Sequence, residues 1–277
     1  MTDIPVPPAL RVTFGRWVEN GRPTQEPVRW RRATWEKQFS ANVLVHREPY
    51  ISRPDVAHYA GSIETDDDAV RAFIASMIWG YGTVGYGAYR TRKILEENPG
   101  ADARLLEVAR LARTGDWGAA FTAASDPGLT YLGVAFGTKY LYFCSLAAGV
   151  DTAIAPVLDG VVAQWLAMNT SFQPTTSGWN LADYRRYVEL MHGWADELSG
   201  AADQIPVRAD DVEQLIFDSE WEPPETLQSP RAEITSLLAR LRLLVGELES
   251  DSTEEWEPHI DELRRLLDEE GPADDAG

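Results

Sequence analysis

Two apolar runs joined by a short loop constrain this chain more than any other feature. Residues 131–165 read YLGVAFGTKYLYFCSLAAGVDTAIAPVLDGVVAQW. A glycine-bracketed turn, Gly133 to Gly137, leads into Thr138 and Lys139, and the apolar run Tyr140–Ala148 follows. That run is long enough for about two and a half helical turns. A loop then reaches Pro156, Val157, Leu158 and Asp159, and a second apolar run starts at Gly160. The pattern predicts two core helices, the first opened by Lys139 and the second by Asp159.

Both placements carry chemistry. A lysine at the start of a helix sits among free N–H groups at the positive end of the dipole, where a cation is unfavourable. Such an amine is a candidate nucleophile. Asp159 is a natural N-cap, its carboxylate fixed by backbone donors. Taken singly, the two residues read as a surface lysine and an ordinary cap. Together they suit reaction at a sugar C1′, which passes through an oxocarbenium-like state.

Gly137-Thr138-Lys139, followed by Asp159 in the context Pro-Val-Leu-Asp, resembles the helix-hairpin-helix DNA glycosylase superfamily. It is most similar to the 8-oxoguanine DNA glycosylase branch, over about residues 65–220. The resemblance implies a double-stranded DNA substrate, with Lys139 displacing a damaged base and forming a Schiff base with the sugar. Asp159 would stabilise the charge. The hairpin, with Gly133, Gly137 and Thr138, would hold a phosphate, often with a bound monovalent cation; no other cofactor is implied. The family hairpin usually reads Leu-Pro-Gly-Val-Gly. Here Leu132-Gly133-Val134-Ala135-Phe136-Gly137 lacks the proline and runs one residue longer.

Two further segments resemble the family in position. In the glycine-rich stretch from Gly80 to Arg90, Tyr81 would fill the gap left by a flipped base, and Arg90 and Arg92 would meet phosphate. A packing turn with tyrosine in the core is an equal reading. In 209–217 (ADDVEQLIF), Glu213 and Phe217 fall where the family places a glutamine and a phenylalanine against the base. A carboxylate there could accept from the N–H and amino donors of a guanine, or from a cytosine amino group. A solvated Glu213 and a core Phe217 are the alternative.

Charge bears on this reading. The formal net charge is −19, which disfavours nucleic acid at first sight. Its distribution is uneven: 221–277 hold 5 Lys/Arg against 16 Asp/Glu, and 1–53 hold 9 against 5. The single cysteine, Cys144, excludes an internal disulfide, a multi-thiolate metal site and the four-cysteine iron–sulfur cluster of some relatives. The four histidines are scattered, and no metal site is expected. No apolar stretch approaches membrane-spanning length, and the N-terminus lacks signal-peptide character. A cytoplasmic protein is the expectation.

The predicted fold is mostly α: a helix-hairpin-helix glycosylase-like core, a small N-terminal region with some strand, and a C-terminal helical extension. The expected division is 1–62, 63–220 and 221–277. Leu10–Val18 alternates as a strand would, and 28–39 are basic and tryptophan-rich, with Trp30 and Trp35 facing either DNA or the core. Helices are expected at 69–79, 90–97, 102–114, 116–125, 182–198 and 209–217, then at 234–248 and 256–267. Residues 231–267 are a candidate surface for a protein partner. Two alternatives stay open: a same-fold glycosylase acting on a modified base of foreign (phage) DNA in defence, and a non-catalytic DNA-binding or protein-interaction module.

Overall fold

A computed structural model describes residues 4–201 and 206–219. The chain divides into two compact units, one of residues 1–82 and 87–220, the other of 83–86 and 221–277. The helices expected at 234–248 and 256–267, and the partner surface at 231–267, lie outside the described residues. The first unit is almost entirely helical. Among the described residues the sheet is one antiparallel pair, β1 (Val28–Arg29) and β2 (Tyr50–Ile51), with Val28 opposite Ile51. No described helix is long and apolar enough to cross a membrane.

The N-terminal segment departs from expectation. Leu10–Val18 lies inside a helix, α1 (Pro8–Glu19), not a strand. The residues that look alternating also satisfy helical spacing, since Leu10 and Phe14 are four apart and both buried. Val12, which alternation would have placed in the core, is 56% exposed. Pro8 sits in the first turn, where its missing N–H costs nothing. Beyond β1, α2 (Arg32–Glu36) buries Trp35, and Trp30 is buried beside it in sequence; both tryptophans belong to the core.

The next helices start on side-chain caps. Ser52 caps α3 (Arg53–Gly61) and Thr65 caps α4 (Asp66–Tyr81), each reciprocated by an aspartate three residues on. Then come α5 (Tyr86–Glu96), α6 (Ala101–Arg113) and α7 (Trp117–Ser125). A loop leads to α8 (Val134–Leu146), whose middle is buried on every side from Gly137 to Ser145. Packed against α8 are α3, α4, α6 and α7, so a helix buried on every side through its middle is a hub of the fold. After α9 (Gly160–Asn169), the long α10 (Leu181–Ala201) packs on α7 and on the last described helix, α11 (Ala209–Phe217).

Between α8 and α9 the chain runs through a buried strap, Ile154–Leu158. A buried non-helical backbone must find hydrogen bonds elsewhere, and side chains of α8 and α10 supply them. Thr138 accepts from the Leu158 N–H and donates to its carbonyl; Ser145 accepts from the Ala155 N–H. The Tyr184 hydroxyl donates to Pro156 and the Tyr187 hydroxyl to Val157. His192 Nε2 lies 2.7 Å from the Ile154 carbonyl. The strap is therefore fixed just before it delivers Asp159.

Candidate active site

Lys139 does not open its helix. Gly133 is the N-cap and α8 starts at Val134, so Lys139 stands in the second turn and Gly137 is helical. The shift has a packing cause. The Trp179 indole lies against Gly137 so closely that a Cβ there would sit 2.2 Å from a ring carbon, while the indole N–H donates to Leu132. Trp179 thereby clamps the start of α8, from Leu132 to Gly137.

The lysine stem crosses α4 at Gly80. A Cβ on Gly80 would lie 2.8 Å from Lys139 Cδ and 3.0 Å from the Phe136 ring. Its absence opens the slot through which the amine reaches Asp159, with Nζ 2.9 Å from Oδ2. The other carboxylate oxygen, Oδ1, accepts from the Val161 and Val162 amides at 3.1 and 3.2 Å, so Asp159 is both the N-cap of α9 and the partner of Lys139. Burial alone would raise the Asp159 pKa; the Lys139 charge, its hydrogen bond and the two amides outweigh that and hold it below the usual carboxylate range. The amine is also flanked by rings, 5.5 Å from the Phe136 centroid and 6.0 Å from that of Trp79.

A second ion pair lies on the same indole. Arg53, the first residue of α3, sits 5.1 Å from the Trp79 ring and 5.1 Å from the Tyr142 ring. It donates to Glu213 Oε2 at 2.8 Å and to Gln25 at 2.7 Å. Glu213 is 1% exposed. Burial pushes its pKa up to about 7, Arg53 draws it down, and Asp159 and Lys139 act on it in opposite senses. Phe217, one turn on, is 39% exposed at the end of α11. The expected alternative is thus inverted: the glutamate is in the core and the phenylalanine at the surface.

The remaining expected residues divide. Gly133 is exposed at the start of α8, whereas Thr138 is fully buried on the strap and faces no solvent from which DNA could approach. Tyr81, expected to fill a gap, stacks instead on Phe136, with centroids 4.0 Å apart and planes at 19°. Arg90 Nε donates to the Tyr131 carbonyl at 3.0 Å, and Asn98 brackets Thr130, accepting from its N–H and donating to its carbonyl. Both hold the hairpin loop. Arg92 lies on α5 beside Glu96, its Nε 3.7 Å away. Sequence reading missed Arg53, Trp79, Phe136 and Trp179. A glycine inside the apolar helix of α4 was the one local signal, pointing to the close approach at Gly80.

Lys139, Asp159, Arg53 and Glu213 thus form two adjacent ion pairs on one aromatic surface, drawn from α8, the start of α9, α3 and α11. An amine facing a fixed carboxylate can supply a nucleophile and stabilise a cation. Comparison with curated proteins and with solved structures returns no match. A family model matches residues 21–217, a range that takes in Gln25, Arg53, Lys139, Asp159, Glu213 and Phe217. The chain belongs to the family described as putative 8-oxoguanine DNA glycosylase OGG-like proteins.

Proposed function

We propose that this protein is a DNA glycosylase that excises a damaged base such as 8-oxoguanine by covalent attack of Lys139 at C1′, with Asp159 stabilising the sugar cation. The observation that carries it is the 2.9 Å contact between Lys139 Nζ and Asp159 Oδ2, made by two residues of a chain whose family is named for this reaction. The exposed start of α8 at Gly133, with Arg90 and Arg92 on the neighbouring α5, is the proposed phosphate contact, where free helix amides favour an anion. Extruding a base costs a few kcal/mol, offset by contacts in the pocket.

In the reaction, the Nζ lone pair forms a bond to C1′ as the glycosidic bond breaks and its electron pair leaves on the base. Opening of the C1′–O4′ bond then gives the iminium. Of the three ammonium protons, one ends on the base, one on O4′, and one stays on the iminium nitrogen. Loss of a C2′ proton with departure of the 3′ phosphate would nick the strand, the lyase activity proposed alongside excision. Asp159, fixed by two amides, needs no reorganisation as positive charge develops nearby.

Borohydride reduction on a duplex with one abasic site tests this. Wild type should give a covalent adduct that Lys139→Gln does not. Equal trapping by the variant would remove Lys139 from the reaction. A panel of duplexes bearing different lesions, with wild type, Lys139→Gln and Asp159→Asn, identifies the base. The buried Glu213–Arg53 pair, where the resemblance places a glutamine, favours one second reading: the same chemistry on a different modified base.

A further inference from the structure

The basic, tryptophan-rich segment 28–39 has no part in the proposed reaction. Its tryptophans turn inward, Trp30 and Trp35 being 3% and 1% exposed. On the β1–β2 pair, Val28 lies opposite Ile51, which is fully buried, and Arg29 lies opposite Tyr50. Arg29 and Tyr50 are both exposed, Tyr50 by 52%. Directly opposed residues of an antiparallel pair share one face, so an arginine and a tyrosine stand together in solvent. Arg47 is exposed on the loop that enters β2. That loop is pinned. The Trp30 amide donates to the Pro49 carbonyl at 3.1 Å and its indole N–H to the Glu48 carbonyl at 2.6 Å, and His46 Nε2 lies 2.7 Å from the Tyr50 carbonyl. Side chains displayed on so fixed a backbone lose less freedom on binding.

Both strands are anchored beside the candidate active site. β1 packs on Gly82, just past the end of α4, where a Cβ would lie 3.0 Å from Val28 Cγ1 and 3.4 Å from the Arg29 carbonyl oxygen. Two residues earlier, Gly80 receives the Lys139 stem and the Phe136 ring. β2 runs through Ser52 into Arg53, whose guanidinium lies on Trp79.

Charge identifies what this face takes. With a net charge of −19, the chain repels a polyanion over most of its surface and admits one where cations stand uncompensated. On α5, Arg92 and Lys93 each have a glutamate one turn on, at 3.7 and 3.4 Å. Arg29 and Arg47 make no ion pair among the described residues. The nearby acids do not neutralise them: Glu36 pairs with Arg32, and Glu26 and Glu48 with neither arginine.

We propose that the exposed face of the β1–β2 pair is a second contact for duplex DNA, separate from the start of α8. Arg29 and Arg47 meet backbone phosphates, and Tyr50 lays its ring on the deoxyribose beside them. This rests on the glycosylase reading, and it concerns how the duplex lies over Lys139 rather than which base is taken. Phosphate contacts set register and carry no sequence information, so the contact serves damaged and undamaged duplexes alike.

The test measures the affinity of the full chain for an abasic duplex and an undamaged one over a range of salt, beside borohydride trapping at saturating DNA. Each phosphate neutralised contributes about −0.9 to the slope of log K against log salt concentration. Arg29→Gln/Arg47→Gln should make that slope shallower by about two on both duplexes, while trapping at saturation keeps the wild-type rate. Arg29→Lys/Arg47→Lys should restore the slope, because an ammonium also meets a phosphate. Tyr50→Ala should weaken binding with the slope unchanged, since a tyrosine displaces no counterion; binding as tight as wild type would strike the ring from the contact. A wild-type slope in the glutamine pair overturns the proposal and leaves the face to an acidic protein. Should that pair fail to fold, Arg47→Gln alone still decides, through a change of about one. Lys139-dependent trapping with an unchanged slope sinks this inference alone; absence of that trapping in wild type sinks the glycosylase reading.

Discussion

Thr138 closes both backbone hydrogen bonds of Leu158, accepting from its N–H at 3.1 Å and donating to its carbonyl at 3.2 Å. The residues that follow these two in the chain are Lys139 and Asp159. The contact between helix and strap thus fixes the spacing between amine and carboxylate. Thr138→Val keeps the side-chain shape but strands a buried donor and acceptor. We expect a loss of about 1–3 kcal/mol in stability and a fall in excision, with Thr138→Ser restoring most of both. Denaturant unfolding and single-turnover excision check this; a fully active Thr138→Val would show that the strap is held well enough without it.

Asp159→Asn separates the two duties of the carboxylate. Asparagine caps helices about as well as aspartate, so the Val161 and Val162 amides keep an acceptor. The Lys139 ammonium, however, loses its counter-charge in a largely buried position. The expected result is a loss of about 10²–10³-fold in excision together with about 3 kcal/mol of stability. Lys139→Gln should be milder for the fold, because Asp159 retains two backbone donors, yet it should abolish the trapped adduct. Thermal unfolding beside trapping distinguishes the pair.

Gly80→Ala tests the slot on α4. In an exposed helix interior the exchange would gain up to about 1 kcal/mol. Here the new methyl would meet Lys139 Cδ at 2.8 Å, and the flexible stem rather than backbone must give way. Displacing a reacting group by about 1 Å can cost on the order of 10²-fold in rate. A near-normal melting temperature with that drop in adduct formation is the expected signature. An unchanged trapping rate would mean that the amine reaches its target by another path.

The helical fold was legible wherever caps and periodicity agreed. The helix expected at 209–217 coincides with α11, and those expected at 102–114 and 116–125 lie within one residue of α6 and α7. α1 was misread because Leu10 and Phe14, four apart, satisfy both periods, and only tertiary burial, which leaves Val12 exposed, chooses between them. The juxtaposition of Lys139 and Asp159 could be expected from a motif that places them twenty positions apart. Arg53 could not, since 160 positions separate it from Glu213 and nothing local marks an arginine that will be buried. The start of α8 was set too late because Trp179, distant in sequence, makes Gly137 a helix-packing glycine rather than a turn.

The Glu213 carboxyl should give the protein an unusual stability profile in the weakly acidic range. Its pKa rises on folding from 4.5 to about 7, so between those values the native state holds a proton that the unfolded chain has released. Stability therefore falls as pH rises through this window, by an amount on the order of 3 kcal/mol if this group acted alone. Asp159 works in the opposite sense, because its pKa is lowered by folding. Its contribution is present above the ordinary carboxylate pKa and is lost only as pH falls through the lower native value, outside the Glu213 window. Unfolding free energies at pH 5 and pH 8 should thus show Glu213→Gln gaining on wild type at the higher pH, where the wild-type carboxylate is buried and charged. A constant difference between the two proteins across that range would mean that Arg53 keeps Glu213 ionised throughout, and that the carboxyl does not titrate in the folded protein near neutrality.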